Sequence, residues 1–295
     1  MPGLDLTVPD WLMVGASGMV GRLVRGAWLN DPRIDVRLVS QLRSEACKTD
    51  EDALFWAPLE GPERFEQYVR SDGSPAALIM VAGVIPGPNA DFTKNSDLAV
   101  ACLEAAKAAG CNRVLIASSA AVYGPSLDVP FSENTPCGPV APYGASKLAM
   151  EQACEPYRDA GMDVCCLRIG NVVGADALMR NAADGSSVQI DRFADCHGPE
   201  RSYIGPESLA RVLATLAGWH ERLPDVLNVA APIPTDMADL ARAADLDWSW
   251  ADAPDEALQR VTLDATRLGQ FYEFSADECT AEGMVAQFRR SGQLL

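Results

Sequence analysis

Tyr143 and Lys147 stand four residues apart in the segment Tyr143-Gly-Ala-Ser-Lys147. On an α-helix that spacing places both side chains on one face, a turn apart. A free tyrosine, with a pKa near 10, is a poor base at neutral pH, and a neighbouring ammonium favours its phenolate. Such a pair can exchange a proton with a hydroxyl or carbonyl of a bound molecule. Upstream, Gly15-Ala-Ser-Gly18-Met-Val-Gly21 has glycines spaced for a tight turn that lets backbone amides approach a pyrophosphate at a helix N-terminus. The backbone at Gly15, Ser17, Gly18, Met19, Val20 and Gly21 is the candidate cradle of a dinucleotide. Neither pattern decides anything alone: with 6 tyrosines and 4 lysines, the Tyr/Lys spacing arises by chance in about 8% of such sequences.

Their setting adds the weight. Trp11 to Gly15 is a short apolar run, and Met19, Val20, Leu23, Val24 and Ala27 keep helical spacing up to Asn30-Asp31-Pro32, so the glycine motif joins a strand to a helix. Strand-like runs recur at 34–39, 76–81, 113–117 and 164–169, and helical patterns at 91–109 and 143–160. Alternating buried strands and helices imply a doubly wound, parallel, Rossmann-like α/β sheet, because parallel neighbours need a crossover. We therefore expect a dinucleotide-binding domain over residues 1–170 and a smaller, irregular substrate cap over 171–295, with 200–220 returning to the core. The cap contains a polar stretch at 176–199 and helices at 207–220 and 236–244.

Composition narrows the function classes. A formal charge of -17 repels nucleic acid and anionic lipid, and about half of the excess, a net of -8, lies in residues 225–295. The longest apolar stretch, 76–85, is too short to span a bilayer, and the acidic N-terminus has no leader-like pattern, so a cytoplasmic location is expected. Nine cysteines without a C-x-x-C pair read as reduced packing residues, and two isolated histidines, His197 and His220, exclude a zinc site or a Ser-His-Asp triad.

The glycine motif, the run Leu115-Ile-Ala-Ser118-Ser119-Ala-Ala-Val-Tyr-Gly124, Pro142 to Lys147, and Leu167-Arg168-Ile-Gly-Asn171-Val-Val-Gly174 together resemble an extended short-chain dehydrogenase/reductase of the NAD-dependent epimerase/dehydratase family, from about residue 11 to 215. The resemblance implies that Ser119, with Ser118 beside it, orients the reacting oxygen, and that Asn95 positions the catalytic lysine and the cofactor. It also implies that Tyr143 exchanges the proton while Lys147 lowers its pKa and binds the nicotinamide ribose, and that Ala82 and Gly83 border the cofactor. Asn171 and Arg201 fall where relatives hold the sugar or diphosphate of a substrate, a task suited to the planar arginine fork. Homodimerisation through the helices at 91–109 and 143–160 follows from the same resemblance.

Three departures shape the expected activity. Ala120-Ala121 stand where dehydratases of the family carry an Asp-Glu pair, which disfavours elimination of water. Leu38-Val39-Ser40-Gln41-Leu42-Arg43 lacks the acid that binds the ribose hydroxyls of NAD, and Ser40 and Arg43 could receive a 2′-phosphate, which favours NADP over NAD. The loop 83–90 and the segment 176–199 are shorter than in sugar epimerases of the family, so a smaller substrate is expected. The main reading is an NAD(P)-dependent oxidoreductase moving hydride to or from a carbinol or ketone carbon of a sugar-like substrate, with or without a nucleotide attached. The alternatives are a nucleotide-sugar 4-epimerase with retained NAD and a non-catalytic dinucleotide sensor. A cysteine-dependent semialdehyde dehydrogenase fits poorly, since only Cys196 has a histidine beside it.

Overall fold

A computed structural model describes residues 10–43, 52–125, 129–183 and 187–292. Asp10–Val14 (β1), Arg37–Leu42 (β2), Ala53–Phe55 (β3), Ala77–Met80 (β4), Arg113–Ser119 (β5) and Asp163–Ile169 (β6) lie in one sheet. Short strands follow at Asn171–Val172 (β7), Val188–Arg192 (β8), Glu200–Arg201 (β9) and Tyr203–Ile204 (β10); then Val226–Val229 (β11) returns to the main sheet. The order β11-β6-β5-β4-β1-β2-β3 is parallel throughout. Successive strands are added outward from β1 to β3 on one side and from β4 to β11 on the other, so the order switches between β1 and β4, and the crevice beyond the carboxyl ends of that pair is where such sheets bind ligands.

Strand alternation feeds two cores. Trp11, Met13, Leu115 and Cys165 face the helices Met19–Asn30 (α1) and Pro206–Ala217 (α7), whereas Leu12, Val14, Ile116 and Cys166 face Glu63–Asp72 (α2), Lys94–Ala109 (α3) and Pro142–Ala153 (α4). Apolar side chains at helical spacing supply the covering layers: Leu23, Val24 and Ala27 on α1, and Leu209, Leu213 and Leu216 on α7.

The helix expected over 143–160 is two helices, α4 and Glu155–Asp159 (α5), because Pro156 has no amide with which to continue the ladder. Within 176–199 the described residues include Ala177–Ala183 (α6) and β8, regular elements in a stretch whose polarity suggests none. The rest of the C-terminal region comprises Thr235–Asp236 (β12), Met237–Ala243 (α8), Trp248–Asp252 (β13), Arg260–Val261 (β14) and Ala281–Arg290 (α9). α9 was not foreseen; its Met284, Val285 and Phe288 join the core of α1 and α7. The main sheet thus draws on residues beyond 200–220, since β11 pairs with β6 from Val226↔Cys166 to Val229↔Ile169. Among the described residues no helix is long and apolar enough to cross a membrane, and no cluster of His, Cys, Asp and Glu could hold a metal ion.

Candidate active site

The glycine turn follows β1 and leads into α1. Gly15 adopts φ +92°, and a β-carbon on Gly21 would sit 2.1 Å from the Gly15 carbonyl oxygen, so helix and turn approach as no larger residue allows. Gly15, Ser17, Gly18, Met19 and Val20 line a cleft of about 590 Å³, whose far wall is Ala82, Gly83 and Val84 after β4. A glycine-lined cleft at a helix N-terminus, beside the switch in strand order, fits the pyrophosphate and nicotinamide halves of a dinucleotide.

The tip of β2 departs from expectation. Ser40 is buried within the sheet and does not line the cleft; a strand turns successive side chains to opposite faces, and Gln41 and Arg43 are the residues that reach it. Gln41 Oε1 accepts a hydrogen bond from the Gly15 amide at 2.9 Å, and its Nε2 donates to the Trp56 carbonyl, which anchors the turn to β3. Arg22 and Glu60 line the same cleft.

Ser119 ends β5 and accepts a hydrogen bond from the Ala121 amide at 3.2 Å. A β-carbon on Gly144 would lie 2.3 Å from the Ala121 carbonyl oxygen, so this glycine lets α4 rest directly on the turn after β5. That approach brings Tyr143 to Ser119. Burial pushes the Tyr143 phenol up, and a hydrogen bond with the Ser119 hydroxyl offsets part of the rise. Phe92 packs on the Tyr143 ring at 6.0 Å between centroids.

One turn along α4, Lys147 is buried and donates from Nζ to the Ala117 carbonyl at 2.8 Å. Burial lowers its pKa to about 8, with Cys166 and Glu151 opposing that shift. The β-carbon that Gly83 lacks would lie 3.0 Å from Lys147 Nζ and 3.1 Å from Asn95 Oδ1, so both groups face the floor of the glycine-lined cleft. Asn95, fully buried at the start of α3, accepts from the Val84 amide at 2.7 Å and donates to Ser146 Oγ at 3.0 Å, tying the loop after β4 to α4.

Ser119 and Tyr143 open into a second cavity of about 330 Å³, closed on its other side by Asn171, Arg201 and Thr262. Arg201 is half-buried there and donates to the carbonyls of Glu200 at 2.8 Å, Gln259 at 2.9 Å and Leu258 at 2.9 Å. These carbonyls carry no charge, and burial lowers the guanidinium's pKa against the opposing charges of Tyr203 and Asp191, so among the described residues the hydrogen bonds of this cation go to neutral groups. An anionic group on a ligand would supply a charged partner.

Ser118, expected beside the substrate, instead turns into the protein and donates to Glu151 Oε1 at 2.5 Å. Glu151 also takes Arg168 Nη2 at 2.7 Å, and the chain continues through Arg168 to the Tyr123 hydroxyl at 3.0 Å and from Tyr123 to Asn228 at 2.7 Å. The sequence reading missed this network and the Thr262 wall. Glu151 lies four residues after Lys147, a helical spacing that offered a signal; Thr262 had none.

The family model of the NAD-dependent epimerase/dehydratase family matches residues 11–205. UDP-glucose 4-epimerase from Azospirillum brasilense is 34% identical over 185 residues, covering 58% of this chain and 51% of that protein. The Corynebacterium glutamicum enzyme of the same name is 37% identical over 101 residues, 34% of this chain and 31% of its own. The chain thus spans about half or less of the length of these curated relatives. In fold, the UDP-Glc/GlcNAc 4-epimerase of Campylobacter jejuni superposes with a TM-score of 0.79 at 17% identity, covering 97% of this chain and all (100%) of that one. UDP-glucose 4-epimerase of Thermus thermophilus in complex with NAD superposes at 0.73 and 22% identity, covering 95% of this chain and 99% of that one. By the span of the family model and the residues it encloses, the chain belongs to the NAD-dependent epimerase/dehydratase family.

Proposed function

We propose that this protein is a nucleotide-sugar oxidoreductase of the 4-epimerase type, oxidising a sugar carbinol and returning the hydride to the same carbon while NAD stays bound. The observation that carries the reading is the placement of α4: Tyr143 opens into the cavity walled by Asn171 and Arg201, and Lys147, one turn on, faces Gly83 in the glycine-lined cleft. Bound nicotinamide would supply a carbon able to take and return hydride. The chain's own part is proton transfer and orientation. The Ser119 hydroxyl holds the reacting oxygen, and Tyr143 takes its proton as the carbinol becomes a carbonyl and gives it back on reduction. Arg201 and Asn171 bind the anionic, nucleotide-linked end of the substrate. Ala120 and Ala121 offer no carboxyl group for abstracting a carbon-bound proton, so dehydration is not part of this reading.

Cofactor choice rests on the tip of β2. Arg22 and Arg43 favour a 2′-phosphate and hence NADP; Glu60 in the same cleft opposes it, and NAD is the cofactor in this reading. Cytoplasmic location and homodimerisation through α3 and α4 belong to the proposal as well, and sedimentation equilibrium tests the latter. The decisive experiment incubates the purified protein with UDP-glucose and no added cofactor and follows the anomeric proton by NMR. Appearance of the 4-epimer together with stoichiometric NAD released on denaturation supports the reading. A strict need for added NAD(P)H and net reduction of a ketone would favour a simple reductase.

A further inference from the structure

Cys154 and Cys166 form a buried thiol pair that proton and hydride transfer leave unused. Cys154 stands at the joint between α4 and α5, Cys166 lies in β6, both are fully buried, and their sulfurs are 3.8 Å apart. Alternation along β6 decides which of the adjacent cysteines takes part: Cys166 faces the α3 and α4 core with Cys154, whereas Cys165 faces the opposite core.

The surroundings are cationic rather than hydrocarbon alone. Arg158 Nη2 reaches Cys166 Sγ at 3.0 Å, and the guanidinium is pinned by the carbonyls of Val164 at 2.9 Å and Asp225 at 2.8 Å. Lys147 lies close enough for charge on Cys166 to raise its pKa. Fixed positive charge beside a thiol stabilises the thiolate, the reactive form. Cys154 is held below its ordinary value, first by the hydrogen bond from Cys166, whereas Cys166 is pushed well above its own, first by that same bond and then by burial, with Arg158 opposing, so Cys154 is the thiolate of the pair and Cys166 keeps its proton. Cys102, buried without such partners, is pushed up to about 12.

We propose that Cys154 and Cys166 are a reversible dithiol–disulfide site that reacts with hydrogen peroxide. The Cys154 thiolate attacks a peroxide oxygen, the O–O bond breaks, and the leaving hydroxide takes a proton to become water, leaving a sulfenic acid. The Cys166 sulfur then attacks that sulfur; the S–O bond breaks, the S–S bond forms, and a second water carries off the thiol proton. Two thiols are oxidised and one peroxide is reduced to two waters. Neither sulfur is exposed, so the oxidant enters by opening of the α4–α5 joint, where Pro156 interrupts the backbone ladder. The bond draws the sulfurs from 3.8 Å to about 2 Å and so pulls the end of α4, the helix bearing Tyr143 and Lys147, toward β6.

The test is independent of any catalytic reading. Reduced full-length protein is treated with hydrogen peroxide, alkylated under denaturant with N-ethylmaleimide and digested with trypsin. Peptides 148–158 and 159–168 are expected joined by a disulfide in the wild type and in Cys165→Ser, separated by dithiothreitol, and not joined in Cys166→Ser. Recovery of both wild-type peptides fully alkylated overturns the proposal, as does a link that persists in Cys166→Ser.

Discussion

Glu151→Gln probes the buried network beneath the site. Glu151 is 5% exposed and Arg168 6%, and the carboxylate receives Arg168 at 2.7, 3.1 and 3.2 Å as well as Ser118 at 2.5 Å. Burial works against the Arg168 charge, and hydrogen bonds and charge from Glu151 more than offset it, holding the guanidinium above its ordinary value. Glutamine keeps the shape but leaves that charge buried without a counter-ion and turns an NH2 group toward donors. Removing one partner of a buried pair costs about 3–5 kcal/mol, and the retained amide oxygen places this case near ~3 kcal/mol. For 295 residues, at about 2.1 cal/mol/K of unfolding entropy per residue, that corresponds to a fall in Tm of roughly 5 °C. Urea unfolding monitored by circular dichroism measures it, with the m-value unchanged. The double variant Glu151→Gln/Arg168→Met leaves no uncompensated charge and is expected to recover about half of the loss or more. A loss below about 1 kcal/mol in the single variant, or no recovery in the double, would refute the reasoning.

Gly21→Ala places a β-carbon 2.1 Å from the Gly15 carbonyl oxygen and is expected to weaken NAD binding at least tenfold by calorimetric titration; unchanged affinity would detach the glycine turn from the cofactor. Lys147, whose pKa drops from 10.5 to about 8 on folding, gives a pH signature. Between those values the unfolded chain binds the extra proton, so the lysine's contribution to stability rises with pH across that window, by roughly 3 kcal/mol. Unfolding free energy of the wild type relative to Lys147→Met should therefore climb from pH 8 to 10.5, and a flat difference would contradict the burial argument.

How far the sequence carried the reading differs by site. The turn from Gly15 to Gly21, Ser119, Asn95, Tyr143 and Lys147 stand out in the sequence as candidates because strand-turn-helix placement and helical spacing fix where such side chains point, and the fold gathers them at the two cavities. Ser40 and Ser118 depart from expectation for one reason: on a strand, a shift of one residue moves a side chain from the cavity into the protein, and Gln41 and Ser119 are the neighbours that line the two cavities. β3 and α2 went unseen because their apolar runs are short, with only Phe65 and Tyr68 buried along α2. Arg201 was found as a cation, but its partners Leu258 and Gln259 lie 57 and 58 residues away, and no local pattern encodes such a contact.

The central claim is that Tyr143 carries the proton of a hydride-transfer reaction, and Tyr143→Phe tests it most directly. The phenyl ring keeps the packing against Phe92 and removes only the hydroxyl shared with Ser119. Turnover of UDP-glucose should fall by about 10³ or more, in keeping with loss of a general acid–base, while NAD affinity stays within a few-fold of wild type. A variant that turns over within about tenfold of wild type would contradict the account.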